Sequence, residues 1–133
     1  MELSSALVVT LTLFALLQVK HVIADFILQS PYIIENRRIY GHPGGLLHVA
    51  IHAVGSLAAL AIVGLPGLAA LLILIFGEAL AHYHIDWSKD NLVASLALTP
   101  KDAGFWYAIG IDQGLHQLTY LAMAAYWAFS VAL

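Results

Sequence analysis

A chain of 133 residues that is 62% hydrophobic, only 10% charged and free of cysteine is neither a disordered segment, which needs low hydrophobicity and high charge, nor a disulfide scaffold. Soluble domains carry roughly 25% charged residues, so this composition indicates one all-α domain, residues 1–133, built into a membrane. The formal net charge of −3 removes nucleic acid as a partner, since phosphate binding needs a basic surface. Without cysteine there are no thiolate metal sites and no CxxC redox chemistry. Seven histidines, more than all Lys and Arg together, do not fit a passive bundle.

The start of the chain does not read as a secretory signal, because Glu2 stands where a positive region belongs and no small-x-small cleavage site follows. The first apolar run predicts a helix over residues 3–29, stopped by Pro31. A polar connection, 32–45, holds Glu35, Arg37, Arg38 and the turn run Gly41-His42-Pro43-Gly44-Gly45. A second span covers 46–65, and Pro66-Gly67 breaks it. A third covers 67–87. Residues 88–102 form another polar connection, with Pro100 as a helix stop and Leu92–Leu98 as a short interfacial piece. The last span covers 103–133. A spanning helix needs about 20 residues, so a four-helix transmembrane bundle is expected.

Basic residues set the expected orientation. Lys20, Arg37, Arg38, Lys89 and Lys101 are every Lys and Arg in the chain, and all lie in or beside the first and third connections. The positive-inside rule places those connections in the cytoplasm and both termini outside.

Each span carries two metal-competent residues four apart: His21 and Asp25, His48 and His52, His82 and Asp86, Asp112 and His116. Residues at i and i+4 share one helical face. Seven His and five Asp placed at random would give roughly one such pair. In the expected topology all eight residues fall in one leaflet, within about two helical turns along the membrane normal. Ionisable groups in a bilayer cost a few kcal/mol each or more, so these eight pair with one another, line a wet cavity or bind metal. Imidazole and carboxylate without sulfur suit Zn²⁺, Fe or Mn, as one or two ions.

Other polar positions read less sharply. Glu78, one turn before His82, is a ligand, a general base or a partner of a ligating histidine. His84 points to a different face from His82, and His42 belongs to the solvated turn run. Gln29 and Gln113 are either partners of the ligands or plain helix-end polarity. Trp87, Trp106, Tyr107 and Tyr32 match one aromatic belt, and Tyr126 and Trp127 the other. Gly55, Gly77, Gly110 and Gly114 are expected to allow close helix approach. Arg37, Arg38 and Lys89 either set topology alone or hold an anionic headgroup.

The motifs HxxxDFxxQ from His21 through Asp25 to Gln29, HxxxH from His48, HxxxDxxK from His82 through Asp86 to Lys89, and DQxxH from Asp112 resemble a widespread family of small bacterial integral membrane proteins catalogued as a domain of unknown function. More distantly the chain is similar to inner-membrane proteins labelled metal-dependent hydrolases. The resemblance covers nearly the whole chain and implies a polytopic fold with a metal site at those eight positions.

The expected activity is metal-dependent hydrolysis of an amphiphilic or anionic substrate at the cytoplasmic leaflet, a lipid-linked molecule being one candidate. Glu78 or Asp112 would be the general base, and Arg37, Arg38 and Lys89 would face the substrate. A transporter or sensor for metal ions or protons is the first alternative, disfavoured by the lack of ionisable residues in the outer half of every span except Glu2. A non-catalytic membrane subunit, with a packing network or a haem, is the second.

Overall fold

Proline fixes φ near its helical value and needs no N–H partner, so it suits the first turn of a helix, and two helices here begin on one. The computed structural model describes residues 3–132. They are all-helical, with no strand among the described residues: α1 (Leu3–Phe26), α2 (Pro31–Asn36), α3 (Pro43–Val63), α4 (Leu68–Ser95) and α5 (Ala103–Ala132). Glu2, expected on the far side, lies outside the described residues.

Four boundaries differ from the sequence expectation. α1 stops at Phe26 rather than Gln29, and Leu28 N–H closes back onto Ile23 O at 2.9 Å. The Gln29 amide then caps the Asp25 carbonyl at 3.1 Å. Pro31 opens α2, a helix inside the expected connection, with the Ser30 hydroxyl accepting from Ile33 N–H. Pro43-Gly44-Gly45 is not a turn but the first turn of α3, capped by His42, whose Nδ1 accepts from Gly44 N–H at 3.0 Å. The piece expected at Leu92–Leu98 is mostly the end of α4, which runs to Ser95.

α1 packs against α3 and α5, α4 packs against α3 and α5, and α2 lies on α3. A Cβ on Gly44 would come within 3.0 Å of Asn36 Cβ, so glycine lets α2 sit on the start of α3. Gly55 meets the Lys20 side chain at 3.4 Å and serves the expected close approach. Gly77, Gly110 and Gly114 face open space and do not.

The interior has two halves. Leu13, Leu17, Ala59, Leu60, Leu74, Tyr120, Met123, Ala124 and Trp127 form an apolar core. Beyond it lie His21, His48, His52, Ser56, Glu78, His82, Asp86, Asp112 and His116, all buried. The outside is the apolar surface: Val8, Leu11, Val54, Ile62, Leu68, Phe76, Leu80, Leu118 and Phe129 are exposed. Ser4–Phe26, Pro43–Val63 and Leu68–Ser95 are each long and apolar enough to cross a bilayer, which marks a membrane protein. α5 is as long, but holds Asp112, Gln113, His116 and Gln117 in its first half.

Trp127 is not a belt residue. It is 2% exposed, and its indole N–H donates to Gly64 O at 2.9 Å. Gly64 ends α3 at φ +114, a conformation side chains disfavour, so this contact ties the α3–α4 turn to α5.

Leu17 is fully buried in the apolar core and Leu11 is 56% exposed. We expect Leu17→Ala to lower unfolding free energy by about 2–5 kcal/mol. Leu11→Ala should change it by less than about 0.5 kcal/mol. Denaturant titration in detergent micelles, followed by circular dichroism, measures both.

Candidate functional site

Spacing of four sets the site. Buried polar residues follow at every fourth position along α3 (His48, His52, Ser56), α4 (Glu78, His82, Asp86) and α5 (Asp112, His116, Tyr120), and His21 and Asp25 repeat it on α1. Such rows lie along one helical face, and the four faces meet inside the bundle.

His52 Nε2 donates to Asp25 Oδ1 at 2.9 Å. His48 Nε2 lies 3.3 Å from the same oxygen and 3.0 Å from Asp86 Oδ2. His82 Nε2 is 3.2 Å from His48 Nε2 and 3.4 Å from Asp86 Oδ2. His116 Nε2 is 3.3 Å from Asp86 Oδ1 and 3.7 Å from Asp112 Oδ1. The His52 and His82 ring centroids are 3.7 Å apart, and those of His82 and His116 4.2 Å. Three overlapping groups can hold a metal ion: Asp25 with His48, His52 and His82; His21 with His82 and His116; Asp86 with Asp112 and His116. All eight positions singled out by spacing are among them.

Two details fit a cation. The Nε2 atoms of His48 and His82 face each other, and imidazole nitrogens that close need a shared proton or positive ion between them. Asp112 Oδ1 is buried without a hydrogen-bond partner, an expensive state for a carboxylate unless a charge is supplied.

His21 is differently placed. Tyr120 OH donates to its Nδ1 at 2.9 Å, and its Nε2 faces Gln113 Oε1 at 3.1 Å and Asp25 Oδ2 at 3.3 Å. Its nitrogens are thus engaged by Tyr120 and Gln113, neither of which belongs to the metal-competent groups. Gln113 also donates to Asp112 Oδ2 at 3.0 Å, so it is a partner of the cluster, whereas Gln29 serves the helix end.

Glu78 and Lys20 form a buried ion pair one turn deeper than His82. Lys20 Nζ also lies 3.2 Å from His52 Nδ1 and 4.6 Å from the Tyr120 ring centroid. Sequence reading used Lys20 only for topology. Its position one residue before His21 puts it on the α1 flank facing Gly55, where a side chain that long reaches Glu78, and neither fact follows from spacing.

On the polar-connection side, Arg37 at the end of α2 reaches Asp86 at 3.5 Å and Asp90 at 3.3 Å. Burial opposes its charge, and the two carboxylates more than offset that, holding its pKa above the ordinary guanidinium value. Lys89 pairs with Asp90 at 2.6 Å. A cavity of about 140 Å³ opens here, lined by Asp25, Gln29, Arg37, Asp86, Lys89 and Asp112 among others. Arg38 is not brought to it. It is exposed and lines a separate hollow between α2 and the last turns of α4. His84 faces Tyr40, 3.2 Å from its hydroxyl, away from the ligand cluster.

Residues 13–133 match the family model described as a protein of unknown function, DUF3307, and the chain belongs to that family. No curated protein matches the chain, and no solved structure does.

The Lys20–Glu78 pair makes a test. Lys20→Met strands a buried carboxylate and should cost about 3–5 kcal/mol of stability. Adding Glu78→Leu should recover most of it, because two apolar side chains replace a buried pair at little net cost. Unfolding titrations of the single and double variants decide; a double variant no better than the single shows that the pair is not the unit.

Proposed function

We propose that this protein is a four-helix transmembrane bundle, α5 being the fourth span, that holds a divalent metal ion and hydrolyses an anionic, amphiphilic substrate at one leaflet. The observation that carries this reading is the convergence of His and Asp side chains from four helices. Asp25, His48, His52 and His82 present ligand atoms that all lie within 4.8 Å of one another, as do His21, His82 and His116, and Asp86, Asp112 and His116. Nitrogen and oxygen donors without sulfur suit zinc first, with iron or manganese also compatible.

Asp25, His48, His52 and His82 would hold the ion most directly, with Asp86 and His116 beside them. Such an ion supplies a water acidified toward neutral pH and polarises a substrate oxygen. The chain provides the rest. Asp112 has a free buried oxygen at the edge of the cavity, which suits it to take a proton as general base. Glu78, engaged by Lys20, fits a charge partner better than a base. Lys89 and Arg37 line the cavity and orient an anionic group entering it. Tyr120 and Gln113 hold the His21 ring, which packs against His116 with centroids 4.8 Å apart. Substrate needs only one way in, and the apolar half of the interior, from Leu13 to Trp127, speaks against a continuous path for a transported ion.

The orientation we propose keeps the polar connections in the cytoplasm of a bacterial inner membrane and both termini outside. Cysteines introduced at Arg38 and Leu65, which lie in successive connections, should label from opposite faces of sealed vesicles. Labelling of both from one face would overturn this.

Protein purified without chelator or affinity metal should contain at least one equivalent of a divalent transition metal by elemental analysis. His52→Ala and Asp25→Ala should lose it. Asp112→Asn should keep the metal and hydrolyse p-nitrophenyl phosphate about 10²–10⁴-fold more slowly. Native-helicity protein with no metal would end this reading.

A further inference from the structure

We propose that the groove between α4 and α5 is the binding site for the hydrocarbon chain of an alkyl phosphate, whose headgroup enters the polar cavity beside Lys89 and Asp112. This rests on the metal reading, because the ion supplies the charge that makes a cavity lined by Asp25, Asp86 and Asp112 receptive to an anion.

The groove has a volume of about 350 Å³. Ile85 and Leu92 on α4 and Ala108, Ile111 and Leu115 on α5 give it apolar walls, extending over about 10 Å of helix. Ile111 and Leu115 are 65% and 44% exposed, so it opens on the outer face of the bundle, where lipid chains lie. Its polar residues include Lys89 and Asp112, and these two also line the 140 Å³ cavity that reaches Asp25 and Asp86. One molecule can therefore lie with its chain in the groove and its head at the ligand cluster without leaving the leaflet.

The sizes match this division. The polar cavity, about 140 Å³, has room for a head of a few heavy atoms, such as a phosphate. A small water-soluble substrate would need only the cavity. Charge selects phosphate: Lys89 and Arg37 are the cations beside the cavity, and two cations with a metal suit a doubly charged oxyanion. A second groove, between α1 and α3, is also apolar, lined by Ile51 and Ile62 among others. It shares no residue with the polar cavity. It serves as the control.

The test uses the full chain in phosphatidylcholine nanodiscs, loaded with zinc, and a dodecyl phosphate bearing a diazirine at the chain end. Labelling mapped by mass spectrometry should favour Ile85, Ile111 and Leu115 over Ile51 and Ile62 by about tenfold. Unlabelled dodecyl phosphate should compete, and dodecyltrimethylammonium should not. Leu115→Trp, which fills the groove, should remove labelling at Ile85 and Ile111 while helicity and metal content stay unchanged. Uniform labelling of lipid-facing residues, competition by the cationic amphiphile, or indifference to Leu115→Trp would each overturn the proposal. Metal content of the same samples judges the metal reading separately: zinc that fails to bind rejects the metal reading, whereas indifferent labelling of zinc-bound protein rejects the groove alone.

Discussion

An ionisable side chain cannot lie against hydrocarbon without a cost of several kcal/mol, and the rest of this structure follows from where the chain hides nine such or similarly polar groups. Four helix faces that would be inert in an apolar bundle are each turned inward by a His or Asp at two successive turns. Each helix face therefore specifies its own rotation about its axis. Packing of α1 on α3 and α5, and of α4 on the same two, is then the arrangement in which all four polar faces meet one another and none meets lipid.

Concentrating those groups in one half of the interior leaves the other half to do ordinary structural work. Leu13, Leu17, Leu60, Leu74 and Trp127 form a dry core of aliphatic and aromatic side chains, and the Trp127–Gly64 contact ties its end. That core gives the polar half a rigid floor. Distances of 2.9–3.4 Å among Asp25, His48, His52, His82 and Asp86 are held by helices, which position a site more closely than loops do. α2 adds a single residue from the side: Arg37, brought over Asp86 and Asp90 because Gly44 and Gly45 leave room for the short helix.

Much of this was legible in the sequence, for a physical reason. A four-residue repeat of His and Asp is a statement about one face of a helix, and four such faces on packed apolar helices bury themselves by meeting one another. The eight residues could therefore be named without coordinates. What escaped was everything that depends on side-chain reach or backbone detail. Lys20 looks like a topology signal because its stem is flexible and its charge is written at a helix end, yet its stem runs past Gly55 to Glu78. Trp127 looks like an interface residue because tryptophan is common there, and only its indole bond to the Gly64 carbonyl shows that it faces inward. Pro31 and Pro43 read equally as stops and as starts, and the difference lies in Ser30 and His42 ahead of them, whose side chains accept the first N–H groups. Arg38 and Arg37 are neighbours in sequence, but a helix end points them roughly a quarter turn apart, and only Arg37 faces the carboxylates.

The dry half of the interior has an electrical consequence. In a bilayer the potential falls across the full hydrocarbon thickness, worth about 2.3 kcal/mol per charge at 100 mV. The buried charges here lie in one half of the bundle, and Leu13, Leu17, Leu60 and Leu74 separate them from the opposite face. A proton moved among Asp112, the histidines and the cavity mouth travels only a short part of that drop and returns to the side it came from. On the proposed function, chemistry in such a site would be insulated from the membrane voltage and would run at the same rate across an energised and a depolarised membrane.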